Sequence, residues 1–218
     1  MTVDPRSALP LAYSPAAARA GLSALLDLDA RLGAILRATG EPLVGQMRLT
    51  WWHDALARLD TAPPPAEPVL QALAAHVVPE GVTGRELAQL VEGWEALLED
   101  DLDEAALNTH ASRRGACLFG LMARLAGAAG SDPVAPAGRG WALADLATHI
   151  TDLDVAARAR AMAVPALDAA RTHRWSRAGR GLGAMARIAA HDLEHQGEGG
   201  WQGMRHVAQL VWHRLTGR

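Results

Sequence analysis

Lysine is absent from this 218-residue chain, and all 21 of its basic residues are arginine. With the chain's richness in alanine, that skew points to genomic base composition rather than to chemistry. Cysteine occurs once, at Cys117, which excludes a disulfide framework and a cysteine-based zinc site. Phe and Tyr occur once each against seven Trp, so tryptophan carries almost all of the aromatic bulk. The net charge of −3 gives no electrostatic footprint for nucleic acid, and no nucleic-acid partner is expected. No apolar run is long enough to span a bilayer, and the opening M-T-V-D-P-R lacks a signal-peptide pattern. The expected setting is cytoplasmic, with peripheral contact to an inner membrane as the variant to test.

Half of the residues are apolar. A chain of this length buries roughly 70% of its unfolded surface, so a single domain over residues 1–218 has an ample core. Its organising stretch is E-P-L-V-G-Q-M-R-L-T-W-W-H-D-A-L, residues 41–56, which reads as one helix with Pro42 at its first position. At about 100° per residue, Gly45, Leu49, Trp52, Leu56 and Leu59 share one side, widened by Val44 and Ala55. Arg48 falls inside that arc. It must snorkel out or meet a carboxylate or an anionic ligand, because an unpaired buried charge is costly.

Ser14, as N-cap, and Pro15 open a preceding helix that runs to about Ala38. Leu22, Leu25, Leu32, Ile35 and Leu36 form its apolar face, and Asp29 projects into that face. A short turn at residues 39–40 should pack these two helices antiparallel, which brings Asp29 and Arg48 to nearly the same level. The expectation is a buried Asp29–Arg48 ion pair.

Beyond a proline-stiffened loop at residues 61–68, Thr83 caps a helix with Leu87, Leu90, Val91, Trp94, Leu97 and Leu98 on one face. Asp103 caps the next, running to Gly127 with Leu107, Leu118, Leu121 and Leu125 as its stripe, into which Arg114 intrudes. A Gly/Ala/Pro linker covers residues 128–137. A helix from Trp141 to Ala157 then carries Leu143, Leu146, Ile150 and Leu153 on one side, and Pro165 ends it. Another runs from about Ser176 to His195, and a glycine-rich joint at residues 197–200 leads to a last amphipathic helix. That helix, residues 201–216, has Trp201, Met204, Ala208, Val211, Trp212 and Leu215 as its stripe, with arginines and histidines alongside. It either closes the bundle or lies on a membrane surface. No period-2 alternation occurs, so the fold is all-α.

Two patterns suggest metal. His191-Asp192-Leu193-Glu194-His195 matches H-x-x-E-H, but only Glu198 follows as a third carboxylate ligand, and the pattern reads as a polar helix end. Asp145, His149 and Asp152, at i, i+4 and i+7, could hold a hard divalent ion if a second acidic helix faced them. Otherwise they are a solvated stripe.

The 41–56 segment resembles the x-E-P-x-x-G-x-x-R-x-x-W-W helix of the squalene/phytoene synthase family, particularly its short bacterial members and a mitochondrial respiratory complex I assembly factor. Similarity continues more loosely through L-V-E-G-W (90–94), R-R-G-A-C-L-F-G-L-M-A-R-L-A-G (113–127) and G-R-G-W-A-L-A-D-L-A-T-H (138–149). The resemblance implies a single-domain, isoprenoid-synthase-like helical bundle. Active synthases hold Mg²⁺ and prenyl diphosphates between two D-x-x-x-D motifs on facing helices. Here the first motif falls near residues 33–37, which contain no acid. The second falls at about 149–153, with Asp145 at the family's asparagine position and the nearest acids at Asp152 and Asp154. The family's tyrosine ahead of the A-G motif falls near Thr109.

The implied function is a catalytically degenerate member that binds a prenyl or lipid-like ligand or a protein partner, in respiratory complex assembly for example. No cofactor is expected, or Mg²⁺ if activity survives. The rivals are an active Mg²⁺-dependent head-to-head prenyltransferase and a membrane-surface or structural protein. Candidate ligand-binding residues are Asp29, Arg48, Trp52, Arg114, Asp145, His149 and Asp152, with Asp145, His149 and Asp152 as the metal candidates.

Overall fold

Proline and capping side chains set where the helices begin. The computed structural model describes residues 11–38, 41–99 and 101–194. Among them lie nine α-helices and no strand: α1 (Arg19–Ala38), α2 (Pro42–Ala57), α3 (Pro68–His76), α4 (Gly84–Glu95), α5 (Glu104–His110), α6 (Cys117–Ala126), α7 (Val134–His149), α8 (Leu153–Thr172) and α9 (Arg180–Glu194). Between α5 and α6 the chain stays helical but widens into a π-helical segment, Ala111–Ala116. The all-α expectation therefore holds for the described residues.

Pro42 and Pro68 occupy first-turn positions of α2 and α3, where a missing N–H costs nothing. Thr83 and Glu86 close a full capping box on α4, and Asp103 accepts from Ala106 N at 2.8 Å on α5. α1 itself begins at Arg19, five residues after Ser14. The chain enters through Pro15 and a 3-10 turn at Ala16–Ala18, without a side-chain cap on that turn.

The largest revision lies after residue 127. The linker is shorter than its composition suggests, because α7 begins at Val134. Buried Asp132 pins the loop before it, accepting from Ser176 N at 2.8 Å and from Ser176 Oγ at 2.6 Å. The expected helix break at Pro165 is absent: Pro165 lies inside α8. The cost of an interior proline, ~3 kcal/mol for the lost hydrogen bond and the ring clash together, is offset by the buried row Ala159, Ala163, Leu167 and Ala170. The actual break is at residues 150–152, where Asp152 turns its carboxylate to Asp154 N and Val155 N and starts α8. That break resets the helical phase, and Leu153 ends up 83% exposed instead of on the apolar face.

α7 packs on α8, α9 and the π segment; α2 packs chiefly on α4, with only a few contacts to α1. The core runs between these groups through Leu25, Leu28, Leu32, Leu49, Leu87 and Phe119, all fully buried. No helix among the described residues is long and apolar enough to cross a membrane. The proposed joint at 197–200 and amphipathic helix at 201–216 lie outside the described residues.

Candidate functional site

The π segment decides where the charge goes. A π turn adds a residue to the helical repeat and shifts the phase of everything after it. His110 and Arg114, four apart, both face inward here: their exposures are 0% and 3%. Two close approaches clamp the segment. Gly93 of α4 lies against Arg114's backbone, where a Cβ would come within 2.4 Å of Arg114 N. Gly115 meets Gly138 of α7 backbone to backbone, and a Cβ on Gly115 would sit 2.2 Å from Gly138 O. α4 and α7 can close on the segment only because these positions carry no side chain.

Arg114 then bridges two helices. Its Nε donates to Asp29 Oδ1 at 2.8 Å and its Nη2 to Asp29 Oδ2 at 2.9 Å, a bidentate pair with α1. Nη1 lies 2.7 Å from Asp145 Oδ2 on α7. The guanidinium is sandwiched between indoles, with Cζ 4.1 Å from the Trp94 ring centre and 4.6 Å from that of Trp141. Trp94 also donates Nε1–H to Asp29 Oδ1 at 3.1 Å. Below it His110 Nδ1 lies 2.7 Å from Gly93 O, a bond it makes as donor, which leaves Nε2 facing Arg114 Nη1 at 3.4 Å as acceptor.

The charge states follow from this geometry. Burial, with the positive charge of Arg114 adding to it, pushes the His110 imidazole down to about 3, so it is neutral. Burial works against the charge on Arg114, but Asp29 and Asp145 outweigh it and hold the guanidinium above its ordinary value. Burial likewise works against Asp145, and Arg114 outweighs it, so this carboxylate stays below its usual range. One cation thus serves two carboxylates.

A cleft of about 370 Å³ opens onto this cluster. Its walls include Leu26, Trp94, Trp141, Met185 and Ile188, and its polar edge includes Arg37, Thr148, His149 and Asp192. Asp29, Arg114, Asp145 and His149 are therefore brought together, with His149 Nδ1 3.3 Å from Asp145 Oδ1. The others are not. The expected Asp29–Arg48 pair does not form: Arg48 is exposed, while Arg114 takes both oxygens of Asp29. Arg48 lies at the edge of its apolar arc and snorkels outward. Trp52 is buried in the core and packs edge-on to Trp51 at 5.4 Å, away from the cleft lining.

The Asp145–His149–Asp152 stripe is broken, since Asp152 is spent as the cap of α8. Among the described residues no group of three His, Cys, Asp or Glu is placed to hold a metal ion. His191 belongs to α9, and His195 lies outside the described residues. The sequence pattern does not mark Trp94, Trp141 and Arg37 as cleft residues, nor His110 as the residue behind Arg114. The helical period puts Trp94 on an apolar core stripe only; His110 and Trp141 each stand four residues before a charged member, Arg114 and Asp145, and that spacing is the signal that marks them.

A family model described as squalene/phytoene synthase matches residues 2–174. No curated protein and no solved structure gives a significant match.

Proposed function

The chain belongs to the squalene/phytoene synthase family, and from that premise we propose that it is a catalytically degenerate member whose cleft binds a prenyl or other lipid-like ligand without turning it over. One observation carries this reading: the acids that α1 and α7 direct at the cleft, Asp29 and Asp145, both converge on Arg114. Ionising an allylic diphosphate needs divalent ions held by carboxylates on two facing helices, to neutralise the leaving group. The donor set here does not fit that centre. A divalent ion competing for the same oxygens would sit beside a fixed guanidinium, and the position of the first acidic motif, residues 33–37, carries no carboxylate. The apolar walls, by contrast, suit a hydrocarbon chain, and the cleft falls within the ~300–1,000 Å³ of small-molecule sites.

The test is a diphosphate-release assay on purified protein with farnesyl and geranylgeranyl diphosphate and Mg²⁺. No release above the protein-free rate is expected. Release that disappears in Asp145→Ala would establish the active-prenyltransferase rival instead.

A second reading, contact with a partner protein or a membrane surface, is favoured by α2. It turns Leu43, Met47 and Trp51 outward at successive i+4 positions, 68%, 67% and 49% exposed. The likeness of this same segment to a complex I assembly factor supports respiratory complex assembly as its setting. Co-purification of a respiratory subunit that is lost in Met47→Glu would support it, and retention in that variant would count against it.

A further inference from the structure

We infer that the cleft selects amphiphiles whose head carries at most one negative charge and binds them without a divalent metal. The inference deepens the non-catalytic reading above and rests on it.

Arg114, at the floor, has Nε, Nη1 and Nη2 all engaged by Asp29 and Asp145, with His110 behind Nη1. Its charge is already matched by two carboxylates, so it attracts no further anion. At the floor the two carboxylates of Asp29 and Asp145 exceed the single charge of Arg114, which leaves this cluster with an excess negative charge. A diphosphate head would bring several more negative charges into a site walled by low-dielectric indoles, where like charges repel strongly.

Among the described lining residues one cation remains available. Arg37 stands exposed on the last turn of α1 at the cleft edge, and among the described residues it has no ion-pair partner. It can match one negative charge and no more. Thr148 and His149, also in the cleft lining, offer hydrogen bonds to a neutral head such as an alcohol. The indole faces of Trp94 and Trp141 and the side chains of Met185 and Ile188 provide the apolar length.

A series with one hydrocarbon chain and different heads isolates the charge: farnesol, farnesoic acid and farnesyl diphosphate, titrated calorimetrically against the full chain with and without millimolar Mg²⁺. Farnesol and farnesoate should bind at least about tenfold more tightly than the diphosphate, and Mg²⁺ should change neither. Arg37→Ala, a surface change that leaves the fold alone, should weaken farnesoate about tenfold and leave farnesol unchanged. If the diphosphate binds tightest but is not cleaved, the inference is overturned and the non-catalytic reading stands. If it binds tightest and is cleaved with Mg²⁺, both fall. Binding of none of the three overturns the inference alone.

Discussion

α2 and the π segment Ala111–Ala116 each carry an arginine that the sequence places on an apolar stripe, and the structure treats the two in opposite ways. On α2, Arg48 sits at the edge of the arc beside small Ala55, and its long side chain escapes to water. In the π segment, Arg114 is 3% exposed and held by two carboxylates and two indoles. The difference comes from what surrounds each helix. α2 is covered mainly on one side, by α4, whereas the π segment lies between α4 and α7. An arginine with packed helices on both flanks has no route to solvent and must be paired where it stands. The most recognisable stretch of the sequence is thus largely scaffold and surface, while the loosely similar one builds the cleft.

Acid should break the two regions apart most strongly. Burial pushes the His110 imidazole down to about 3 in the fold, against an ordinary 6.5. Below 6.5 the unfolded chain takes up a proton that the folded chain refuses. Stability therefore falls as pH drops through that window, by up to roughly 5 kcal/mol at its lower end. Asp145, held low mainly by Arg114 against the opposing effect of burial, loses its contribution as pH falls through its own folded value, steepening the decline at the acid end. Urea midpoints measured from pH 7 to pH 4 should show the slope, and His110→Asn should flatten it whatever that variant's absolute stability.

The next effect compares the arginines directly. Arg114→Ala leaves Asp29 and Asp145 without their cation and should cost ~3–5 kcal/mol. Arg48→Ala should stay within ~0.5 kcal/mol of the parent. Equal losses in denaturant titration would show that the exposure difference has no energetic meaning. Smaller, and sharper, is the tryptophan comparison. Trp94→Phe removes the Nε1–H bond to Asp29 and weakens the stack on Arg114, for a loss of ~1–2 kcal/mol. Trp51→Ala, on the exposed side of α2, should change stability by less than ~0.5 kcal/mol.

Much of the fold was legible because caps and prolines act locally: Pro42, Thr83 and Asp103 start their helices as read. The inward placement of Asp29 and Arg114 was legible too, since a charge on an apolar stripe is visible at 3.6 residues per turn. Their mutual pairing was not. It joins residues 85 apart in sequence through a π turn that a uniform helical period cannot show, and the nearer arginine, Arg48, offered a plausible partner. The break at residues 150–152 was hidden for a different reason. Pro165 is the stronger breaker by type, yet packing of α8 overrides it, and an aspartate cap does the work instead.

Arg114 bridges Asp29 of α1 and Asp145 of α7, and on the proposed reading its guanidinium stands where a divalent ion would have to sit. Mn²⁺, read by electron paramagnetic resonance, tests it with the metal alone and the wild-type chain. Millimolar Mn²⁺ is expected to keep its free-ion signal in the presence of equimolar protein. Stoichiometric loss of that signal, restored by Asp145→Asn, would contradict it.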